Sequence, residues 1–389
     1  ITTAADGTCT ARITGMTGGG ALSHRNLVIN GAMNVAQRGQ VTGLGHASGG
    51  AGGGFGGPDR FRFESNYSIV TMSQSTDVPS GQGFAKSLKL DVTTAGGISN
   101  ASTYTQLDYR FEGQELARLK YGTSSAETTT LCFWIKSPKA GTHWVRLYGD
   151  ELSNSSGAAF ISRKYTVSSA NTWQKVTLKF PGYTSDGFDN DNTTGMRISW
   201  YFAQGSAYSS GTAQADDGGW LSWTESAAVR TRNTVGQVNC FDSTSNDIFI
   251  TGVQFEVGPV ATPFEHRSLG DELARCQRYC VVFGADESRH LGCASAYDAT
   301  RINLSIHLPV PMRAKPSVTA VTSGGNWLQA YMGANGNISN ASIGVSDNGP
   351  DHNSMRLFLS NAHSGLTAGQ ALWCHTIANA KLIFAADSF

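Results

Sequence analysis

Charge is scarce in this chain. Asp, Glu, Lys and Arg make up 15% of its 389 residues and cancel to a net charge of zero, where about 25% is typical of folded domains. That balance excludes a phosphate-binding surface spread over the whole chain, so nucleic acid is not expected as a partner. Long apolar runs are missing too: none approaches the ~18 residues of a membrane helix, and no membrane insertion is expected. The seven cysteines (9, 132, 240, 276, 280, 293 and 374) are odd in number and lack a repeated Cys-x-x-Cys pair. They form neither a disulfide framework nor a zinc motif, which suits assembly in a reducing cytoplasm. Cys276, Cys280, His290 and Cys293 make a metal site conceivable, but Cys on an apolar helical face is ordinarily a small buried hydrophobe. No basic-then-apolar signal opens the chain. It begins at Ile1 rather than Met, as expected of a processed chain or a piece of a longer one.

What is plentiful is glycine, 46 residues, and short segments of period two between turn residues. Leu107, Tyr109 and Phe111 alternate with charged residues, as in a half-buried strand. So do Val176, Leu178 and Phe180, while Met196, Ile198, Trp200 and Phe202 share one face of another. Ile248 and Ile250 resume as Val253, Phe255 and Val257 after Gly252, which predicts a bulge there. Residues 131–135 are apolar on both faces, predicting a central strand. At least eight such strands between about 60 and 258 predict a jelly-roll β-sandwich, and the chain reads as all-β. The glycine-rich stretch 43–57 is expected to be a flexible surface loop. Ser268 is a natural N-cap for a helix over 268–280, with Asp271 and Glu272 in its first turn. Beyond it, alternation from Ile302 to Val310 opens a smaller terminal β-sandwich. The predicted organisation is a stem or arm over 1–21, a jelly-roll module over 22–265, a connector helix over 266–284 and a terminal knob over 285–389.

Catalytic patterns are absent. There is no Gly-x-Ser-x-Gly elbow, no His-Glu-x-x-His motif, and the nine histidines are scattered singly. Asp216, Asp217, Glu225 and Glu256 are carboxylates with nothing to nominate a glycosidase pair. Glu256, between Phe255 and Val257, reads as part of a solvated strand face. Asp186, Asp189 and Asp191 fall within six residues and suit either a structural calcium or a polar turn before Met196. For sugars, which stack on aromatic faces and bond to carboxylates and amides, the candidates are Trp220 and Trp223 beside Asp216 and Asp217, with Tyr208 and Tyr183 in other turn-rich stretches. The competing reading has Trp220 closing one end of the core and Trp223 alone exposed. In the terminal domain, Trp327 and Tyr331 are candidates for surface contact, or for packing across a trimer axis.

Two stretches carry a resemblance. Residues 26–39, Asn-Leu-Val-Ile-Asn-Gly-Ala-Met-Asn-Val-Ala-Gln-Arg-Gly, followed by Asp59-Arg60-Phe61, resemble the opening of a module in bacteriophage tail-fibre and related virion proteins. Residues 251–267, the helix from Glu272 to Tyr279 and the stretch Met312-Arg313-Ala-Lys-Pro316 resemble what closes and follows that module. The resemblance implies a galactose-binding-like jelly roll in a virion tail or appendage. It also implies a homotrimer, contact with other virion proteins, and recognition of a host cell-surface glycan during adsorption. No cofactor is implied beyond the possible calcium. A purely structural connector or capsid decoration protein is the alternative, and a polysaccharide depolymerase is another, although a depolymerase would normally call for a long repetitive β-helix. The chain is expected to sediment as a trimer; a stable 41.2 kDa monomer would count heavily against a fibre.

Overall fold

A computed structural model describes residues 2–3, 9–10, 24–46, 50, 52–96, 98, 100–154, 157–223, 233–284, 287–323, 325–331, 335–339, 342–347, 352, 354–360 and 366–387. Two compact units result. One comprises Ile1–Met33, Thr42–Gly54 and Phe61–His266; the other comprises Asn34–Val41, Phe55–Arg60 and Arg267–Phe389.

In the first unit β1 (Thr2–Thr3) pairs with β2 (Cys9–Thr10); the rest of the predicted stem lies outside the described residues. Thirteen strands follow: β3 (Val41–Gly45), β4 (Gly52–Phe55), β5 (Phe61–Ser65), β6 (Ile69–Ser75), β7 (Ser87–Thr94), β8 (Tyr104–Glu112), β9 (Thr129–Lys136), β10 (Gly141–Asn154), β11 (Gly157–Val167), β12 (Gln174–Phe180), β13 (Thr194–Gln204), β14 (Leu221–Ser222) and β15 (Asp247–Val257). They form a seven-stranded sheet ordered β14-β11-β10-β13-β8-β5-β4 and a six-stranded sheet ordered β12-β9-β15-β7-β6-β3. The two sheets share one core, in which Phe61, Leu107, Tyr109, Met196, Ile198, Trp200 and Phe202 of the larger sheet meet Val70, Leu90, Leu131, Phe133, Ile135, Ile250 and Phe255 of the smaller. This is the jelly-roll sandwich that the periodicity predicts, and β9 is flanked on both sides as its apolar faces require. The bulge at Gly252 is present: the register of β15 against β9 shifts between Thr251 and Gln254, with Gly252 at φ 63°.

Two expectations are corrected. The stretch 43–57 is not simply a loop, because β3 and β4 run through it as the outermost strands of the two sheets. Glycine suits such close packing: a Cβ on Gly45, at φ 106°, would sit 2.1 Å from the Ser68 carbonyl oxygen. Glu256 is not solvated. It is 2% exposed, and its carboxylate accepts from Thr262 N at 2.8 Å and Gln254 Nε2 at 2.9 Å. The chain folds back after β15 and covers that face.

The two stretches that carry the family resemblance meet within this unit. Leu27 N donates to Phe255 O at 2.8 Å and Val253 N to Gly31 O at 2.9 Å. Asn26, 4% exposed, accepts from Phe255 N and Val28 N, both at 3.0 Å, and donates to Val253 O at 3.0 Å. Asn26 N in turn donates to Glu265 Oε2 at 2.7 Å.

The second unit holds the helix Leu269–Gln277, capped by the Ser268 side chain accepting from Asp271 N. It is shorter than the 268–280 predicted, because Cys280–Gly284 pairs as a strand instead of continuing the connector helix. Its strands are β16 (Cys280–Gly284), β17 (His290–Ala296), β18 (Ile302–His307), β19 (Ser317–Val321), β20 (Asn326–Tyr331), β21 (Asn335–Ser339), β22 (Ser342–Asp347), β23 (Ser354–Ser360), β24 (Ala371–Thr376) and β25 (Lys381–Ala385). A three-stranded sheet (β16-β25-β19) and a seven-stranded sheet (β21-β20-β24-β17-β18-β23-β22) enclose a second core. Segments 34–41 and 55–60 count with this unit. Arg38 pairs with Asp387 at 2.6 Å, Gln37 Nε2 donates to Asp59 Oδ2 and Cys280 O at 2.6 Å each, and the Arg60 guanidinium lies 3.3 Å from the Tyr279 ring centroid. The Asn-Val-Ala-Gln-Arg-Gly and Asp-Arg parts of the opening stretch thus brace the helix and the last strand. Cys276 and Cys280 are buried thiols, raised above their ordinary values by that burial. Among the described residues no three metal-ligating side chains come together.

Asn26→Ala removes three buried hydrogen bonds and is expected to cost roughly 2–3 kcal/mol by denaturant unfolding; a loss under ~0.5 kcal/mol would contradict the clasp. His143, 0% exposed and stacked on Tyr165 at 5.4 Å, is pushed down from 6.5 to about 4 by burial. The folded imidazole therefore stays neutral while the unfolded one protonates. Stability is full above about pH 6.5 and falls toward pH 4, by up to roughly 3 kcal/mol at ~1.36 kcal/mol per pH unit. Melting curves of His143→Phe over that range should decline less steeply than those of the parent.

Candidate functional site

The phase that buries Leu107, Tyr109 and Phe111 turns Tyr104, Gln106, Asp108 and Arg110 of β8 to the opposite face of the larger sheet. The same alternation presents Arg62 and Glu64 from β5, Arg197, Ser199 and Tyr201 from β13, and Trp144, Arg146 and Tyr148 from β10. Register then sets neighbours: Glu64 stands opposite Gln106, Gln106 opposite Tyr201, Ser199 opposite Arg146, and Arg197 opposite Tyr148. This face holds a cleft of about 190 Å³ lined by Glu64, Tyr104, Gln106, Arg146, Arg197, Tyr201, Gln204, Tyr208, Trp223 and Asn233.

Its charges are mostly paired. Arg62 binds Glu64 at 2.6 Å and Arg197 binds Asp150 at 2.6 Å. Gln106 Nε2 donates to Asp108 Oδ2 at 3.1 Å. Burial pushes the Asp108 carboxyl up, while the Arg197 guanidinium pulls it down. Burial, with Glu64 nearby, pushes the Tyr104 phenol up to about 12, so it stays a donor. Arg146 is different. It is 7% exposed and pairs with no carboxylate among the described residues. Instead its guanidinium lies 5.0 Å from the Tyr148 ring, 5.2 Å from Tyr201 and 5.1 Å from Trp223, contacts worth ~0.5–2 kcal/mol each. Trp223 is held in turn by the Phe160 ring at 5.4 Å and by its own N–H donating to Ala158 O at 2.6 Å. Gln204 Nε2 is buried without a hydrogen-bond partner among the described residues. Aromatic faces beside amides, phenols and charged groups in an open cleft suit a polyhydroxylated ligand.

No family model matches the sequence, and no curated protein matches it. Solved structures match the chain at low similarity. The enzymatically active domain of bacteriophage CBA120 tailspike protein 4 is 15% identical over 60% of this chain and 21% of that chain, with a TM-score of 0.29. The CBM22-2 xylan-binding domain of Paenibacillus barcinonensis Xyn10C is 12% identical over 50% of this chain and 91% of that one, at 0.27. A putative sugar binding protein from Bacteroides thetaiotaomicron is 11% identical over 60% of this chain and 100% of that one, at 0.29. This chain spans about a fifth of the tailspike structure. Likenesses at this level carry no argument about what the chain binds.

The residues nominated from sequence separate into groups. Trp223 and Tyr208 line the cleft. Trp220 does not: its Nε1 donates to Pro181 O at 2.8 Å and its ring packs on Tyr121 and Tyr183 at the end of the core. Tyr183, 5% exposed, donates to Ser153 O. Asp216 and Asp217 are exposed outside the cleft, Asp216 3.6 Å from Lys164. Glu225 lies outside the described residues. Trp327 is corrected from a contact residue to a core one, at 1% exposure, whereas Tyr331 is exposed and stacks on His375 at 5.1 Å. Of the candidate calcium carboxylates, Asp186 accepts from Ser153 N, distant in sequence, at 2.8 Å, and Asp191 accepts from Thr193 N at 2.8 Å within a turn. Asp189 bonds through its backbone N, which donates to Glu151 at 2.9 Å.

Sequence reading missed Glu64, Tyr104, Gln106, Arg146, Arg197, Tyr201, Gln204 and Asn233. The available signal was the off-phase face of β8 and β13, where tyrosines interrupt charged positions. Neither calcium nor EDTA should shift the melting temperature, while Asp186→Ala should lower it; scanning calorimetry checks both, and a calcium-dependent rise would restore the metal reading.

Proposed function

We propose that this chain is a non-enzymatic, glycan-binding subunit of a phage virion appendage. The observation that carries the glycan reading is the cleft on the larger jelly-roll sheet, where Trp223, Tyr201 and Tyr148 surround Arg146 beside the amides of Gln106, Gln204 and Asn233. Ring faces stack on sugar C–H surfaces, and the amides and phenols bond hydroxyls. The appendage setting is supported by the resemblance of residues 26–39 and 251–267 to tail-fibre modules. In this reading the chain is made in the host cytoplasm and assembles as a homotrimer with other virion proteins. Residues 1–21 serve as a stem, and the sandwich meets the host surface.

Trp223 lies outside the buried core, so its truncation separates binding from folding. Trp223→Ala should weaken adsorption to host cells roughly tenfold, the loss of about 1.4 kcal/mol from one stacking partner. The variant loses the ring's contacts to Arg146, Tyr148 and Phe160 and should still fold and melt cooperatively. Unchanged adsorption would overturn the glycan reading.

A further inference from the structure

We propose that the cleft takes a saccharide bearing a carboxylate, with Arg146 as the group that receives it. The proposal rests on the glycan-binding reading of this site and specifies its ligand. Among the described residues, this face of the sheet carries the guanidiniums of Arg62, Arg110, Arg146 and Arg197 together with the carboxylates of Glu64, Asp108, Glu112 and Asp150. Arg62 and Arg197 have their partners at 2.6 Å, and Asp108 lies between Arg110 and Arg197. Arg146 has no carboxylate at ion-pairing distance among the described residues, and the more distant Asp150, which feels its charge, is taken by Arg197.

That residue is 7% exposed, its Nε is buried without a hydrogen bond among the described residues, and it lines the cleft. Taking a guanidinium out of water without an anion costs several kcal/mol. The three rings around it recover part of that cost and hold the group in place, but none supplies a full negative charge. Strand register sets Arg146 between Ser162 and Ser199, both 0% exposed, so the floor beneath it offers hydroxyls rather than a counter-ion. A planar fork held this way matches a planar, two-oxygen anion. A uronic or sialic acid combines that anion with a C–H face that Trp223, a partly exposed ring lining the cleft beside Arg146, would stack upon.

The test uses the full chain and a panel of galacturonate, glucuronate and sialic acid oligosaccharides, each as the free acid and as its methyl ester. Calorimetric titration should find at least one acid bound about tenfold more tightly than its ester, with the preference shrinking as salt rises. Arg146→Gln should lower affinity for that acid to the level of the ester, and Arg146→Lys should restore only part of it. The acid–ester comparison on the unaltered protein stands even where a variant folds poorly. Equal affinity for acid and ester, or no binding to any acid in the panel, overturns the proposal. If adsorption to host cells still falls in Trp223→Ala, the glycan-binding reading survives that failure; if it does not, both fall.

Discussion

Trp200 holds the two sheets of the jelly roll in one register. It projects from β13 into the core, 5.8 Å from Phe133 of the opposing sheet and 6.3 Å from Phe61 of its own. A slip of one residue would turn this indole outward and bring Arg197 or Tyr201 into the core, a loss far larger than any rearrangement of the outer face returns. The outer face is therefore dictated from within. Glu64, Gln106, Arg146, Ser199 and Tyr201 are neighbours because Phe63, Leu107, Leu147, Ile198 and Trp200 are neighbours one residue away.

Low charge takes on a local meaning in that setting. The chain is neutral as a whole, yet its charged residues are not evenly spread: Arg62, Arg110, Arg146 and Arg197 share one face of one sheet with Glu64, Asp108, Glu112 and Asp150. Paired and partly buried, they shape a rigid polar floor instead of a solvated surface. Arg146, with no carboxylate at ion-pairing distance among the described residues, gives the site a local preference in sign that the overall charge hides. Composition argued only against a phosphate-binding surface spread over the whole chain. The cleft points toward an anion at one position.

The family-like stretches have a mechanical explanation. Asn26, Gly31 and their neighbours lie against β15 and close the first unit, while Gln37, Arg38, Asp59 and Arg60 bind the helix and the last strand of the second. One short run of sequence thus serves two cores, and Asn26, Gln37 and Arg38 in it each bond to the backbone or to a charged group. Such a run tolerates few substitutions, because every change leaves a buried donor or acceptor unmet.

Much was legible from periodicity alone: the all-β class, the jelly roll, the helix with its Ser268 cap, the bulge at Gly252 and the small terminal sandwich. These follow from local rules, in which alternation, capping and turn residues act over a few positions. Trp223 and Tyr208 were also legible, as aromatics in turn-rich loops. The fate of Trp220, Trp327 and Glu256 was not, since each lies in a pattern compatible with either face. Only the packing of distant segments assigned Trp220 and Trp327 to cores and covered Glu256 with the returning chain. Arg146 is the sharpest case. On sequence it is one charged residue in an alternating strand, indistinguishable from a solvated one. Tyr148 on its own strand, Tyr201 fifty-five residues on and Trp223 farther still converge on it only when β10, β13 and β14 are laid into one sheet. Residue-level alternation determined which side chains leave the core; the order of strands in the sheet decided which of them meet.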